Sequence, residues 1–331
     1  MSKLRALVVP SRTQFEMVSN PATRQLIDTF FDTDYNNKGR EMTQTELADV
    51  IAKYDVLLTT WGSPVIDNNA LSRAGRLKYV GHAAGSVKNR IPFEVFEKGI
   101  RVFSAASRIA DSVAEYCLAS ILACLRYLPQ QNAAMKAGKW KVDVYNGHEL
   151  RKKKVGLVSL SSTARALIRL LKPFECEILV YDPYMTDEKA QMFEVKPASL
   201  EEVFSCPIVS LHTPDLPTTR GMITRELIKM LPDEAVFVNS SRGRVIDEQA
   251  LIEELSTGRF IAALDVYTVE PLPQDSPLRK MDNVLITPHI AGHTIECHEE
   301  LMGCVVRDII AAINNEPTKY EIDPRQWEII A

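Results

Sequence analysis

Arg242, Glu270 and His289 have the side-chain types and surroundings to do chemistry together. Each sits beside a turn. Arg242 lies in Asn239-Ser240-Ser241-Arg242-Gly243, Glu270 precedes Pro271, and His289 lies in Thr287-Pro288-His289-Ile290-Ala291-Gly292. An arginine offers a permanent forked charge that suits a carboxylate. A histidine transfers a proton near neutral pH, and a carboxylate beside it favours the imidazolium. A hydride arriving at a ketone carbon leaves negative charge on the oxygen, which a protonated His289 can neutralise. The set suits reduction of a 2-keto acid, or oxidation of a 2-hydroxy acid with the same histidine starting neutral. Taken singly, each residue also has a structural reading: a strand-end arginine, a Glu-Pro turn pair, a packed histidine. Their order on successive strand ends makes them a catalytic expectation. His289, His293 and His298 beside Cys297 are not read as a metal site, because Pro288 and Gly292 put the first of them on a loop.

Short apolar runs alternate with helical patterns, which predicts an α/β fold with parallel strands. One series has strands at 4–9, 55–60, 78–82 and 101–104, with a helix over 23–31. A long helix is expected over 111–128, capped by Asp111 or Ser112, with a domain crossing just before it. A second series has strands at 155–158, 177–181, 208–212, 235–239, 261–265 and 284–287. A helix over 298–314 is expected to return to the first domain, and the tail 317–331 to pack on the surface. The expected architecture is two Rossmann-like doubly wound parallel-sheet domains with an interdomain cleft. Residues 1–104 plus 295–331 form a discontinuous substrate-binding domain, and 105–294 a dinucleotide-binding domain.

The turn after the strand at 155–158 is where a G-x-G-x-x-G fingerprint would fall, and it reads Ser159-Leu160-Ser161-Ser162-Thr163-Ala164. Those glycines ordinarily make the turn, admit the pyrophosphate and let helix pack on strand. Here the helix N-terminus and the hydroxyls of Ser161, Ser162 and Thr163 must serve instead. Asp182 ends the next strand, where an acid holds the adenine ribose hydroxyls, and no arginine follows it directly, which favours NAD over NADP.

Net charge is -4 on 331 residues, which gives no electrostatic case for nucleic acid or membrane binding. No apolar stretch is long enough to span a bilayer, and the first ten residues lack the plan of a signal peptide. Six scattered cysteines favour reduced thiols in a cytoplasmic protein.

Several segments together resemble the NAD-dependent D-isomer-specific 2-hydroxyacid dehydrogenase family. They are His82-Ala83-Ala84-Gly85-Ser86, Ser112-Val113-Ala114-Glu115-Tyr116, His212-Thr213-Pro214, Thr219-Arg220-Gly221-Met222-Ile223, Asn239-Ser240-Ser241-Arg242-Gly243, Ala263-Leu264-Asp265-Val266, Glu270-Pro271 and Thr287-Pro288-His289-Ile290-Ala291-Gly292. The resemblance covers nearly the whole chain and departs from the family at the glycine loop. It implies that Arg242 binds the substrate carboxylate and keto oxygen, that His289 is the acid/base and that Glu270 is its partner. It also implies that Asp182 takes the ribose and Asp265 the nicotinamide carboxamide. Ser162, Thr163, Thr213, Pro214, Thr219, Ser240, Ser241 and the backbone from His289 to Gly292 would line the cofactor. The backbone N–H groups of Ala84, Gly85 and Ser86 would hold the substrate carboxylate. The segment 133–150, with Trp140 and Tyr145, is expected to reach a second subunit, giving a homodimer. The alternative expectation is a catalytically impaired member of the same fold that binds a nucleotide or a protein partner.

Overall fold

The computed structural model describes residues 3–141 and 146–330. The chain forms two compact units, 1–109 with 293–331 and 110–292.

In the first unit, β1 (Leu4–Val8), β2 (Phe31–Tyr35), β3 (Val56–Thr59), β4 (Tyr79–His82) and β5 (Arg101–Ser104) form a sheet in the order β2-β1-β3-β4-β5. Every neighbouring pair is parallel. Alternation along a strand sends side chains to both faces. In β1, Leu7 enters one apolar cluster and Ala6 and Val8 the other. The helix Ile295–Ile313 covers the second face with Leu301, Val305 and Ile309, at spacings of one helical turn. Each such fully buried leucine or isoleucine is worth about 1.5–3 kcal/mol.

In the second unit the strands are β6 (Lys154–Val158), β7 (Glu177–Tyr181), β8 (Lys196–Pro197), β9 (Ile208–Leu211), β10 (Val236–Asn239), β11 (Ile261–Leu264) and β12 (Val284–Ile286). Their order is β12-β11-β10-β9-β6-β7-β8, again parallel throughout. Strand order reverses between β6 and β9 here, and between β1 and β3 in the first sheet. In open α/β sheets ligands bind outside the carboxyl ends of the strands at such reversals.

Several expected boundaries are corrected. Phe31 opens β2 instead of closing a helix, which ends at Phe30. Strand β2 was not expected, because Phe-Asp-Thr-Asp-Tyr carries two acids. Arg5 lies against both (3.6 Å to Asp32, 2.8 Å to Asp34), and Tyr54 donates to Asp34. The long helix runs from Ala106 to Leu125, so Asp111 is not its cap and pairs instead with Arg169 at 2.9 Å. The last long helix starts at Ile295 behind its cap Thr294, three residues before His298. The tail is tied down: Ile322 N–H donates to Val102 O, Ser104 N–H to Tyr320 O, and Trp327 is buried in the first unit's core. Tyr145 lies outside the described residues.

Candidate active site and dinucleotide crevice

Strand β10 delivers Arg242 through a turn organised by Asn239. The Asn239 carboxamide oxygen accepts the Ser241 N–H (3.0 Å) and hydroxyl (2.8 Å), and its NH2 donates to Arg242 O (3.1 Å). Gly243 follows because a Cβ there would come within 2.0 Å of the Tyr267 backbone. Arg242 donates to Ser241 O at 2.7 Å. Burial pulls its basicity down, and the carboxylates of Glu270 and Asp215 act in the opposite direction.

His289 Nδ1 lies 2.6 Å from a Glu270 carboxylate oxygen. The other Glu270 oxygen accepts the Tyr267 N–H at 3.0 Å, which fixes the carboxylate. His289 has a left-handed backbone (φ 56) although it is not glycine. Such a conformation persists only where its surroundings hold it. Asp265 supplies that hold. Its backbone oxygen accepts the His289 N–H (2.9 Å), and its carboxylate accepts Ile290 N–H, Ala291 N–H (both 2.8 Å) and the Thr287 hydroxyl (2.6 Å). Tyr116 reaches the Thr287 hydroxyl (2.7 Å), and Tyr267 donates to Leu264 O and Thr287 O. Arg242, Glu270 and His289 thus stand in one unit, with the histidine half-exposed and backed by a carboxylate.

Asp265 departs from expectation. It is fully buried with both oxygens already accepting hydrogen bonds, so it serves first as the anchor of the 287–291 loop. The Ser240 hydroxyl is likewise turned inward, 3.0 Å from the Cys117 thiol, so only its backbone is free to line a cofactor. Ala84 needs a third correction. Its N–H already donates to His82 O (2.9 Å), which leaves Gly85 and Ser86 as the amides without a partner among the described residues. His82 shapes that loop from within: Nε2 lies 3.1 Å from Ser86 O and Nδ1 2.9 Å from the Thr59 hydroxyl. Ala84, Gly85 and Ser86 belong to the first unit, and the other expected site residues to the second. Sequence reasoning passed over Tyr116, Tyr267 and Thr287 as positioning groups. Tyr116 and Thr287 sat inside quoted motifs and Tyr267 directly after one, but nothing in their types marked them as struts.

The chain's own residues fit a dinucleotide, in a modified way. The helix Ser162–Leu171 starts directly behind the turn after β6, with Ser161 as its cap. Asp182 stands just past β7, one carboxylate oxygen on Leu160 N–H and the other on Tyr184 N–H, both at 2.7 Å. Ser159 takes the left-handed conformation (φ 73) expected of the first glycine, and its hydroxyl meets that of Thr213 at 2.9 Å across the β6–β9 reversal. Thr219 folds its own loop by donating to Pro214 O at 2.6 Å. At the end of β9, His212 is buried with neither ring nitrogen partnered among the described residues, and burial pulls its pKa down to about 3. The orphaned imidazole, the helix N-terminus and the ribose-side acid together make a polar crevice suited to a dinucleotide. Ser159 and Thr213 already bond to each other there.

Residues 118–291 match the NAD binding domain of the D-isomer specific 2-hydroxyacid dehydrogenases. A hydroxypyruvate reductase of Thermotoga maritima is 34% identical over 262 residues, 77% of this chain and 84% of that protein. A D-3-phosphoglycerate dehydrogenase of Archaeoglobus fulgidus is 30% identical over 322 residues, 95% of this chain and 61% of that protein. The chain therefore spans about three fifths of the length of that relative. A solved structure from Pyrococcus horikoshii superposes with a TM-score of 0.81 at 21% identity, covering 97% of this chain and 95% of its own. The chain belongs to the D-isomer specific 2-hydroxyacid dehydrogenase family, and its second unit is the family's NAD-binding domain.

Proposed function

We propose that the protein reduces a small 2-keto acid to the D-2-hydroxy acid, and catalyses the reverse oxidation, with NAD as hydride carrier. The observation that carries this reading is the 2.6 Å contact between His289 and Glu270 in the unit that also presents Arg242. The reduced cofactor, NADH, would supply the hydride for reduction, and NAD+ would accept it in the reverse oxidation. His289, charged beside Glu270, donates its proton to the carbonyl oxygen as charge develops there. Arg242 takes the substrate carboxylate and steadies the oxygen, and the free Gly85 and Ser86 amides are carboxylate-binding groups of the first unit. The first unit is assigned to the substrate and the second to the dinucleotide, with Asp182 on the ribose and Ser161, Ser162 and Thr163 on the pyrophosphate.

The reduction consumes a proton and the oxidation releases one. Reduction is therefore expected to slow as pH rises, while oxidation speeds up over the same range. NADH consumption with a panel of 2-keto acids tests the assignment. His289→Gln is expected to lower kcat by about 100-fold or more, and a variant as fast as the wild type would remove His289 from the chemistry.

A homodimer in the cytoplasm completes the proposal. The helix Leu128–Lys136 and the residues after it expose Leu128, Met135 and Trp140, the last at 79%. Apolar side chains that open suit a second copy of the chain. All six cysteines are free thiols, and no described helix is long and apolar enough to cross a membrane.

A further inference from the structure

A cavity of about 610 Å³ opens beside the catalytic pair, wholly within the second unit. Glu270 and His289 form part of its wall, and the rest is mainly apolar, with Tyr267, Pro271, Leu272, Ile286 and Pro288. Arg242 is not in the wall, and neither are Ser159, Asp182 and Thr213 of the dinucleotide crevice. The cavity therefore stands apart from the groups assigned to the substrate carboxylate and to the cofactor. Its wall is fixed in advance. Tyr267 is buried, and its hydroxyl donates to Leu264 O at 3.0 Å and to Thr287 O at 2.8 Å. Leu272 is buried, whereas Ile286 is half-buried and Pro271 and Pro288 are exposed. Small-molecule sites are preformed clefts of about 300–1,000 Å³ with apolar walls and a few placed polar groups.

The placed polar group here is Arg279. It stands on the short helix Pro277–Lys280, which Leu278 anchors in the apolar core. Its Nε donates to Pro273 O at 2.8 Å and its Nη2 to Leu272 O at 2.7 Å. Two backbone oxygens thus hold the guanidinium still, and it has no carboxylate partner among the described residues. The one acid in the wall, Glu270, has both oxygens committed, one to Tyr267 N–H and the other to His289. A fixed cation without a counter-ion, set in an apolar wall, is complementary to an anion that carries an apolar body.

We propose that this cavity binds a small apolar carboxylate, with its anionic end on Arg279 and its body against Tyr267, Leu272 and Ile286, and that occupation slows keto acid reduction. The body removes water from the apolar wall. It also removes water from the half-exposed His289, and desolvation disfavours the charged imidazole from which reduction draws its proton. Binding stands apart from the keto acid reading, and the slowing rests on it.

Calorimetric titration of the full chain with phenylacetate tests the binding. Acetate lacks the apolar body and benzyl alcohol lacks the charge. Phenylacetate should bind at least tenfold more tightly than either. Arg279→Gln should weaken it at least tenfold, and Arg279→Lys, which keeps the charge, should stay within threefold of the wild type. Arg242→Lys should leave binding within twofold, and NADH titration checks that each variant is folded. Binding no tighter than that of the two controls would overturn the inference, as would binding that survives Arg279→Gln. Equal losses in Arg279→Gln and Arg279→Lys would make Arg279 a strut, and a loss in Arg242→Lys would place the ligand on the substrate's own arginine; either result overturns the site. Binding that emerges only in Trp140→Ala would give the cavity to a second copy of the chain and overturn it too. In turnover assays phenylacetate should lower kcat for glyoxylate reduction and leave KM for glyoxylate and NADH unchanged, whereas competition with glyoxylate would overturn the inference. If no keto acid is reduced, the reaction fails and the calorimetry alone decides the cavity.

Discussion

Ser159 shows how one residue changes what a familiar turn can do. Its left-handed backbone is the shape a glycine would take at no steric cost, and for a side-chain-bearing residue it costs about 1–2 kcal/mol. Its hydroxyl then bonds to Thr213 across the strand reversal, while Asp182 holds Leu160. A dinucleotide must compete with both contacts. Ser159→Gly removes the strain and the hydroxyl bridge together, so it should tighten NADH binding by about three- to tenfold, read by fluorescence titration. Equal or weaker binding would show that the bridge does not oppose the cofactor. Arg242 makes a separate prediction. Arg242→Lys keeps the charge and loses the fork, so KM for the keto acid should rise about tenfold or more, with NADH titration as the control for an intact crevice. An unaltered KM would take the carboxylate away from Arg242.

At the scale of elements, catalysis depends on a loop that the sequence discloses only in part. Arg242, Glu270 and His289 stand out in the sequence because their types are chemical and each follows a strand. The left-handed turn at His289 was not legible, since no glycine marks it, and neither was the inward role of Asp265, since a buried aspartate and a ligand-binding one look alike in sequence. Strand β2 was missed because its acids alternate outward to basic and phenolic partners that only the fold supplies. The opposite error placed the start of the long helix at Asp111, a good capping residue whose carboxylate is used for Arg169. The anchoring of residues 287–291 by Asp265 has a consequence for function. Asp265→Ala leaves the Ile290 and Ala291 N–H groups without their acceptor and the Thr287 hydroxyl with Tyr116 alone, so that the His289 turn keeps only its bond to the residue 265 backbone oxygen. It should lower kcat about tenfold or more, and lower Tm by several degrees because each unpaired group costs about 1–3 kcal/mol. Wild-type kcat in that variant would mean that the loop holds its shape without the carboxylate.

Across the whole molecule, two histidines couple stability to pH. Burial holds His82 in the first unit near pKa 4 and His212 in the second near 3, both below the ordinary value of 6.5. Above that value neither is charged in the folded or the unfolded chain, and their contribution is fully present. As pH falls, the unfolded chain takes up protons first, so stability is lost progressively from about pH 6.5 toward pH 4. Denaturation midpoints should fall across that window, and His82→Gln should flatten the slope. A midpoint independent of pH between 4 and 6.5 would show that both histidines are free to charge in the folded chain. Assembly is a separate whole-molecule question. A solution mass of two chains is expected from the open Trp140 face, and a single-chain mass would refute the dimer.

The most direct test of the catalytic account uses NADH deuterated at both C4 positions, one accepted 2-keto acid, and chiral analysis of the product. The account predicts a D-2-hydroxy acid carrying deuterium at C2, formed by the wild type and lost about 100-fold or more in His289→Gln. An unlabelled product, an L product, or full-rate transfer in His289→Gln would contradict it.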